Sequence, residues 1–407
     1  MANVVIQSQQ TSRFALHSRV FQIFMSGSLV TRVGDWMDLV ALNWAVLQLT
    51  NSPLMLGVVN ACRLLPTFLL SVPAGLLADR YDRRKLLIYI QLAMMFLTFC
   101  LGYLVDSGPA LFWVFILIVT LRSMLAAMDS PIRNALLPNL VPPNAMSSAI
   151  AINTLVINLS RIIGPAIAGM LLAVTDIANL FYINAWGTLG VLISLLMIRS
   201  HAVPKFKKNR EKTTFKEASD YVKSQPAIQS LLILAIVPMV FGFPYTTMMP
   251  LFARDLLNLG PEGFGLLLSI SSIGALVGAT WLSLGKEIKG AGKWLICSIM
   301  GFGLSLLLFI AAQNFLQAGI AMFLVGLTSQ TYRTMSRITL QVHVPDQLRG
   351  RVLSIALMDR GFIPLGAILL GAIATWAGTT WAGIVMGVGC IAITSIVLTI
   401  RRQIWNL

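Results

Sequence analysis

From about residue 20 to residue 400 the chain is a succession of long apolar runs separated by short polar interruptions. A helix that crosses a bilayer needs roughly 20 apolar residues, because backbone groups in lipid must bond to one another within the segment. Twelve runs meet that need, at 20–49, 53–78, 86–105, 109–128, 147–174, 177–198, 227–253, 262–285, 292–312, 315–335, 350–377 and 380–400. The pattern predicts an all-α integral membrane protein with 12 transmembrane helices.

The interruptions alternate in charge. Lys and Arg gather at Arg13 and Arg19, from Arg80 to Lys85, through 199–223, from Lys286 to Lys293, from Arg333 to Arg351, and at Arg401 and Arg402. The loops between them hold Arg254 beside Asp106, Asp176, Asp255 and Glu262. Positive loops stay on the cytoplasmic side, so both termini are expected in the cytoplasm and the chain in the plasma or inner membrane. No short apolar core with a small-residue cleavage site stands at the start, so the first span is expected to be retained as an anchor.

The longest polar stretch, His201 to Gln225, divides the spans six and six. It predicts an N-terminal bundle over 1–200, a cytoplasmic linker over 201–225 and a C-terminal bundle over 226–407. The halves share spacings. Val141-Pro142 and Gly75 recur as Val344-Pro345 and Gly278, both 203 residues on, and Arg161-x-x-x-Pro165 recurs as Arg360-x-x-x-Pro364. Two pseudo-symmetric six-helix bundles follow, of the kind that builds transporters rocking about a midplane site.

Composition agrees with a membrane chain, at 57% hydrophobic and 11% charged, where a soluble domain is about a quarter charged. The formal charge of +15 does not point to nucleic acid, because the basic residues sit in short loops and form no contiguous patch. Cys62, Cys100, Cys297 and Cys390 are scattered through apolar runs and read as small core hydrophobes, with neither disulfide nor metal spacing. There is no phosphate loop, no H-E-x-x-H and no G-x-S-x-G elbow, so an enzyme and a bound cofactor or metal are not expected.

Charges inside the spans stand out against this background, since each costs at least about 2.5 kcal/mol at the bilayer centre. They are Arg32, Asp35 and Asp38 in the first span, Arg63 in the second, Arg122 in the fourth, Arg161 in the fifth, and Asp359 with Arg360 in the eleventh. Counting from the span ends puts Asp38 level with Arg63, a plausible pair, and spaces Arg32 and Asp35 to meet on one helix. His17, His201 and His343 all fall at span ends or in loops, so any transported proton must ride on a carboxylate, Asp35 or Asp38. Five deep arginines against three deep aspartates favour a neutral or anionic amphiphile as cargo. Trp36, Trp44, Phe243, Tyr245, Met248, Met249 and Phe362 are candidates for an adaptable apolar lining.

The turn after the second span reads Gly75-Leu-Leu-Ala-Asp-Arg-Tyr-Asp-Arg-Arg-Lys-Leu-Leu87. It resembles the cytoplasmic signature G-x-L-x-D-R-x-G-R-[RK] of the major facilitator superfamily, matched at Gly75, Leu77, Asp79, Arg80, Arg83 and Arg84. Asp82 replaces the second glycine, as in the enterobactin exporter and macrolide efflux branch, so side-chain pairing is expected to hold this turn. Arg122 to Ala126 loosely resembles the superfamily's R-x-x-x-G element, and Gly164-Pro165-Ala-Ile-Ala-Gly169 resembles the antiporter signature G-P-x-x-G-G.

The resemblance implies a secondary exporter with proton antiport and alternating access, and it implies a monomer. Its cargo would be an amphipathic small molecule: a drug, a macrolide-like compound or a siderophore. It adds Arg122, at the family element, to the carboxylates Asp35 and Asp38 as the proton-coupling set and makes Asp79 part of a conformational latch. A gradient-independent lipid translocase and a non-transporting scaffold or sensor are the competing expectations.

Overall fold

The computed structural model describes residues 14–108, 112–197, 215–284, 290–401 and 405. Within those helices the side chains at 71, 72, 74–80, 215, 216 and 218 are outside the description. The expected roles of Gly75, Asp79 and Arg80, and most of the expected linker, therefore lie outside the described residues.

The helices are α1 (Arg19–Thr50), α2 (Pro53–Arg80), α3 (Arg83–Asp106), α4 (Phe112–Leu136), α5 (Met146–Leu172), α6 (Ile177–Met197) and α7 (Phe215–Ser224). There follow α8 (Pro226–Val237), α9 (Tyr245–Leu257), α10 (Pro261–Leu284), α11 (Ala291–Ile310), α12 (Phe315–His343), α13 (Asp346–Ala356), α14 (Ile363–Ala377) and α15 (Thr379–Ile400). Among the described residues ten segments are long and apolar enough to cross a membrane, with α8–α9 and α13–α14 each counting as one broken span. The remaining two long helices, α1 and α12, carry the polar side chains of interest: Arg32, Asp35 and Asp38 on α1, and Arg333, Ser336 and Arg337 on α12. With the ten they make up the twelve that the hydrophobic pattern predicts.

Two spans expected as continuous are interrupted. Pro238 and Pro244 cannot donate a backbone hydrogen bond, and between them the chain takes a π-turn over Pro238–Gly242 that separates α8 from α9. The eleventh span tightens to a 3₁₀ segment over Leu357–Phe362, which carries Asp359 and Arg360, before α14 resumes with Pro364 in its first turn. The two Val-Pro pairs behave alike in both halves, each ending an extended step just before a helix start, at Pro142 and Pro345.

The chain divides into two compact units, residues up to 49 with 62–206 and residues 50–61 with 207 onward. In the first unit α3 packs between α4 and α6. One end of this unit is sealed by Phe21 and Phe24 of α1, Leu87 and Ile90 of α3, Ile132 of α4 and Leu195 of α6. In the second unit α12 lies between α10 and α11, and α11 also packs on α15. The approach of α10 to α12 is closer than side chains permit: a Cβ on Gly274 would strike the carbonyl of Phe323, and one on Gly326 that of Ser271. The outer surface is apolar, with Trp113, Leu316 and Trp376 among its most exposed side chains, as lipid requires.

The turn between α2 and α3 shows what its charges do. The Asp82 carboxylate caps α3, accepting from the backbone N–H groups of Arg84 (2.9 Å) and Lys85 (3.2 Å). Arg83 donates to the carbonyl of Ala135 (2.8 Å) at the end of α4. Arg84 donates to the carbonyls of Leu195 (2.6 Å) and Leu196 (2.9 Å) at the end of α6. Two cations thus complete two helix C-termini, where the unpaired carbonyls carry partial negative charge. These bonds to backbone groups tie the turn to three helix ends.

Five of the seven candidates for an apolar lining are core side chains. Trp44, Phe243, Tyr245, Met248 and Met249 are buried in the packed interior of their units. Tyr245 is fixed there by a 2.9 Å hydrogen bond with Ser271, and Phe243 packs on Phe302 and Tyr332. Of the four free cysteines, Cys390 alone is buried as expected, while Cys297 is exposed.

Candidate functional site

The first unit gathers its charges around one cavity of about 260 Å³, lined by Arg32, Asp35 and Asp38 of α1, Arg63 of α2, and Arg122 and Asp129 of α4. Helical spacing explains why α1 contributes three of them: positions 32, 35 and 38 advance by less than one turn at each step and drift slowly round one face. Three arginines face three aspartates, so the cavity is charge-balanced when all are ionised.

Arg122 is the hub. One Nη donates to an oxygen of Asp38, and the other lies 3.7 Å from Asp35. The two carboxylates differ sharply in setting: the Asp38 side chain is 1% exposed, whereas Asp35 is 47% exposed. The second oxygen of Asp38 and the Nε of Arg122 are buried with no hydrogen-bond partner among the described residues. A buried carboxylate with one oxygen unpaired is held almost wholly by its cation.

A second charged layer lies along α4 beyond the first. Arg133 grips Asp129 through Nε and Nη2, both at 3.0 Å, and reaches Ser28 of α1 at 2.9 Å. Gln91 of α3 donates to Asp129 at 2.7 Å. Arg133 also lies over the ring of Phe24, 5.9 Å from its centroid. From position 122 to 129 a helix rises by about 10 Å, so Asp35 and Arg32 stand beside a ladder of two acid–arginine pairs. Sequence reasoning missed this layer. The i,i+4 spacing of Asp129 and Arg133 was the available signal, obscured by the placing of the fourth span's end at residue 128.

Several expected pairings are replaced. Asp38 takes Arg122 rather than Arg63, and Asp35 lies by Arg122 rather than Arg32. Among the described residues neither Arg32 nor Arg63 forms an ion pair, and the Nε of Arg32 is buried without a hydrogen bond. Arg161 instead lies over the ring of Trp36, 5.8 Å from its centroid. One turn further along α5, Gly164 presses on the same Trp36, where an added Cβ would meet its side chain and lie 2.9 Å from the carbonyl of Val33. Pro165 and Gly169 are buried in the same helix, so the G-P-x-x-G-G segment forms a flat face of which Gly164 rests on α1. Asp359 and Arg360 belong to the second unit and line a separate cavity there, with Arg333 and Arg337.

Comparison with known proteins assigns the chain. The transmembrane secretion effector family matches residues 11–406. The staphyloferrin A transporter of Staphylococcus aureus is 34% identical over 384 residues, covering 94% of this chain and 96% of that protein. Macrolide efflux protein A of Streptococcus pyogenes is 21% identical over 340 residues, covering 82% and 84%. The enterobactin exporter EntS of Escherichia coli is 25% identical over 282 residues, covering 68% and 66%. Among solved structures, a variant of the nucleoside transporter NupG superposes with a TM-score of 0.79 at 13% identity, covering 94% of this chain and 100% of that one, a likeness of fold alone. This chain belongs to the transmembrane secretion effector family of the major facilitator superfamily and is a multi-pass membrane transporter.

Proposed function

We propose that this protein exports a siderophore-class small molecule across the bacterial cytoplasmic membrane, driven by protons moving inward through the Asp35–Arg122–Asp38 cluster. The observation that carries the coupling is the contrast between the two carboxylates on one guanidinium: Asp35 open to the cavity and Asp38 sealed. Similarity to the staphyloferrin A transporter over nearly the whole chain supports the cargo class. Similarity to an efflux protein and an exporter supports the outward direction.

In this reading Asp35 is the carboxylate that meets incoming protons. Protonating it removes one of the two anions at Arg122, and the remaining pair with Asp38 stays neutral. Protonating Asp38 as well would leave Arg122 without a counter-ion in a dry site, which is costly, so α1 and α4 would have to shift to resolvate it. Proton arrival at the second carboxylate, after Asp35 has taken the first, is thereby tied to movement of two helices. Gly164 and Trp36 form the flat contact on which α1 would slide. The Arg83, Arg84 and Asp82 caps fix the α2–α3 turn to the ends of α4 and α6, on the side that the charge pattern makes cytoplasmic.

The test is uptake of staphyloferrin A into proteoliposomes with an acidic lumen. The expected result is uptake stimulated by the gradient and lost in Asp35→Asn and Arg122→Ala. Undiminished movement after collapse of the gradient would remove the antiport reading and favour a gradient-independent translocase. Transport of macrolides with neglect of the siderophore would move the cargo to the drug class.

A further inference from the structure

The second unit holds a cavity that the proton chemistry does not use. Its volume is about 440 Å³, and three of its lining residues are arginines: Arg333 and Arg337 on α12 and Arg360 on the 3₁₀ segment. Among the described residues Asp359 is its one acid. Arg333 and Arg337 are four residues apart, one helical turn, and so project to the same side of α12. Arg360 approaches from the other wall, and its neighbour Asp359 on the same 3₁₀ segment also lines the cavity.

The site is built rather than incidental. The Arg333 guanidinium lies over the ring of Phe243, 3.9 Å from the centroid, which fixes the plane of its donor fork. Phe243 is held in turn by Phe302 and by Tyr332, whose hydroxyl donates to the carbonyl of Ala235 at 2.8 Å. Among the described residues neither Arg337 nor Arg360 has a carboxylate within ion-pair distance, and both are exposed. Among the described residues the lining of this space, the size of a small metabolite, carries three cations and one anion, so it is net positive. The rest of the wall is largely apolar, including Leu340, Leu353 and Leu357.

We infer that this cavity binds a small hydroxy-polycarboxylate, as the free ligand or as the head group of a larger cargo. Planar guanidinium forks match carboxylates bidentately. One carboxylate can face Arg337 and another Arg360, and the apolar wall takes the aliphatic stem between them. Asp359 is an acceptor facing the same space, so it selects ligands that also carry a hydroxyl or N–H donor and disfavours the denser charge of a phosphate dianion. The inference rests on the export reading only for its view of the ligand as cargo, and binding is measured without any gradient, so that a failure of antiport and a failure of this site are told apart.

The probe is radiolabelled citrate, binding to the purified full-length chain in lipid nanodiscs. Saturable binding is expected, weakened at least about tenfold in Arg337→Gln and Arg360→Gln and unchanged in Lys293→Gln. Trimethyl citrate and inorganic phosphate should compete poorly, and tricarballylate, which lacks the hydroxyl, less well than citrate. In Asp359→Asn that preference for citrate should shrink. If the glutamine variants fail to fold, Arg337→Lys and Arg360→Lys keep the charge but lose the fork, and intermediate weakening is expected. Absence of citrate binding, equal competition by the ester or by phosphate, or unchanged affinity in folded arginine variants would overturn the assignment.

Discussion

Replacing Asp38 by Asn keeps the shape of the side chain and removes its charge. Arg122 then remains in a site where its own side chain is 12% exposed, with Asp35 at 3.7 Å as its remaining anion. Loss of one member of a buried pair costs about 3–5 kcal/mol. The surviving Asp35 contact offsets part of this, but a half-exposed pair is worth about 1 kcal/mol or less. The new carboxamide oxygen can still accept from Arg122, so the lower end applies, about 3 kcal/mol. At roughly 2–4 °C per kcal/mol for a unit of this size, the thermal midpoint should fall by about 6–12 °C.

Asp35→Asn should lower the midpoint by about 4 °C or less, because that carboxylate is half-exposed. The assay is a thermal melt of the detergent-purified protein, followed by recovery of the monodisperse peak on size exclusion. The double variant Asp38→Asn, Arg122→Gln removes both charges. It should be more stable than the sum of the single effects by about 2 kcal/mol. Equal shifts for the two aspartates, or strict additivity in the double variant, would refute the picture of one sealed pair with a second, open carboxylate.

Other consequences are local. Asp82→Ala should cost about 1 kcal/mol through the lost cap on α3, whereas Asp82→Gly should cost only a few tenths, measurable by the same melt. Arg84→Gln removes charge-assisted bonds to two carbonyls at the end of α6, and should cost about 2 kcal/mol with transport per folded molecule reduced less than yield. Gly326→Ala drives a methyl group into the Ser271 carbonyl and should destabilise by about 2–3 kcal/mol, while Gly350→Ala, which meets nothing within 4 Å, should be neutral or stabilising.

The span pattern was legible because every segment that must cross lipid needs the same length of apolar chain, and α3, α6, α10 and α15 follow that rule closely. The breaks at Pro238–Gly242 and Leu357–Phe362 were not legible as breaks, since unwinding depends on which neighbours can accept the freed backbone groups. The deep charges were found because each is costly in lipid. Their partners were not, because the counting method fixes height along a helix but not the direction in which a side chain points. Asp38 and Arg63 can share a level while Asp38 faces Arg122. Arg337 lies beyond the end expected for the tenth span, at residue 335, yet belongs to a helix that runs on to His343. Asp82 shows the opposite case, where departure from the superfamily glycine was visible at once and its use as a helix cap needed coordinates.

The most direct test is the proton movement itself. Pyranine trapped in proteoliposomes reports lumenal pH when staphyloferrin A is added outside with no gradient imposed. Proton-coupled exchange predicts lumenal alkalinisation as substrate enters and protons leave, abolished in Asp35→Asn. Substrate entry with no change in lumenal pH, or an unaltered signal in Asp35→Asn, would contradict the assignment of coupling to the carboxylates on Arg122.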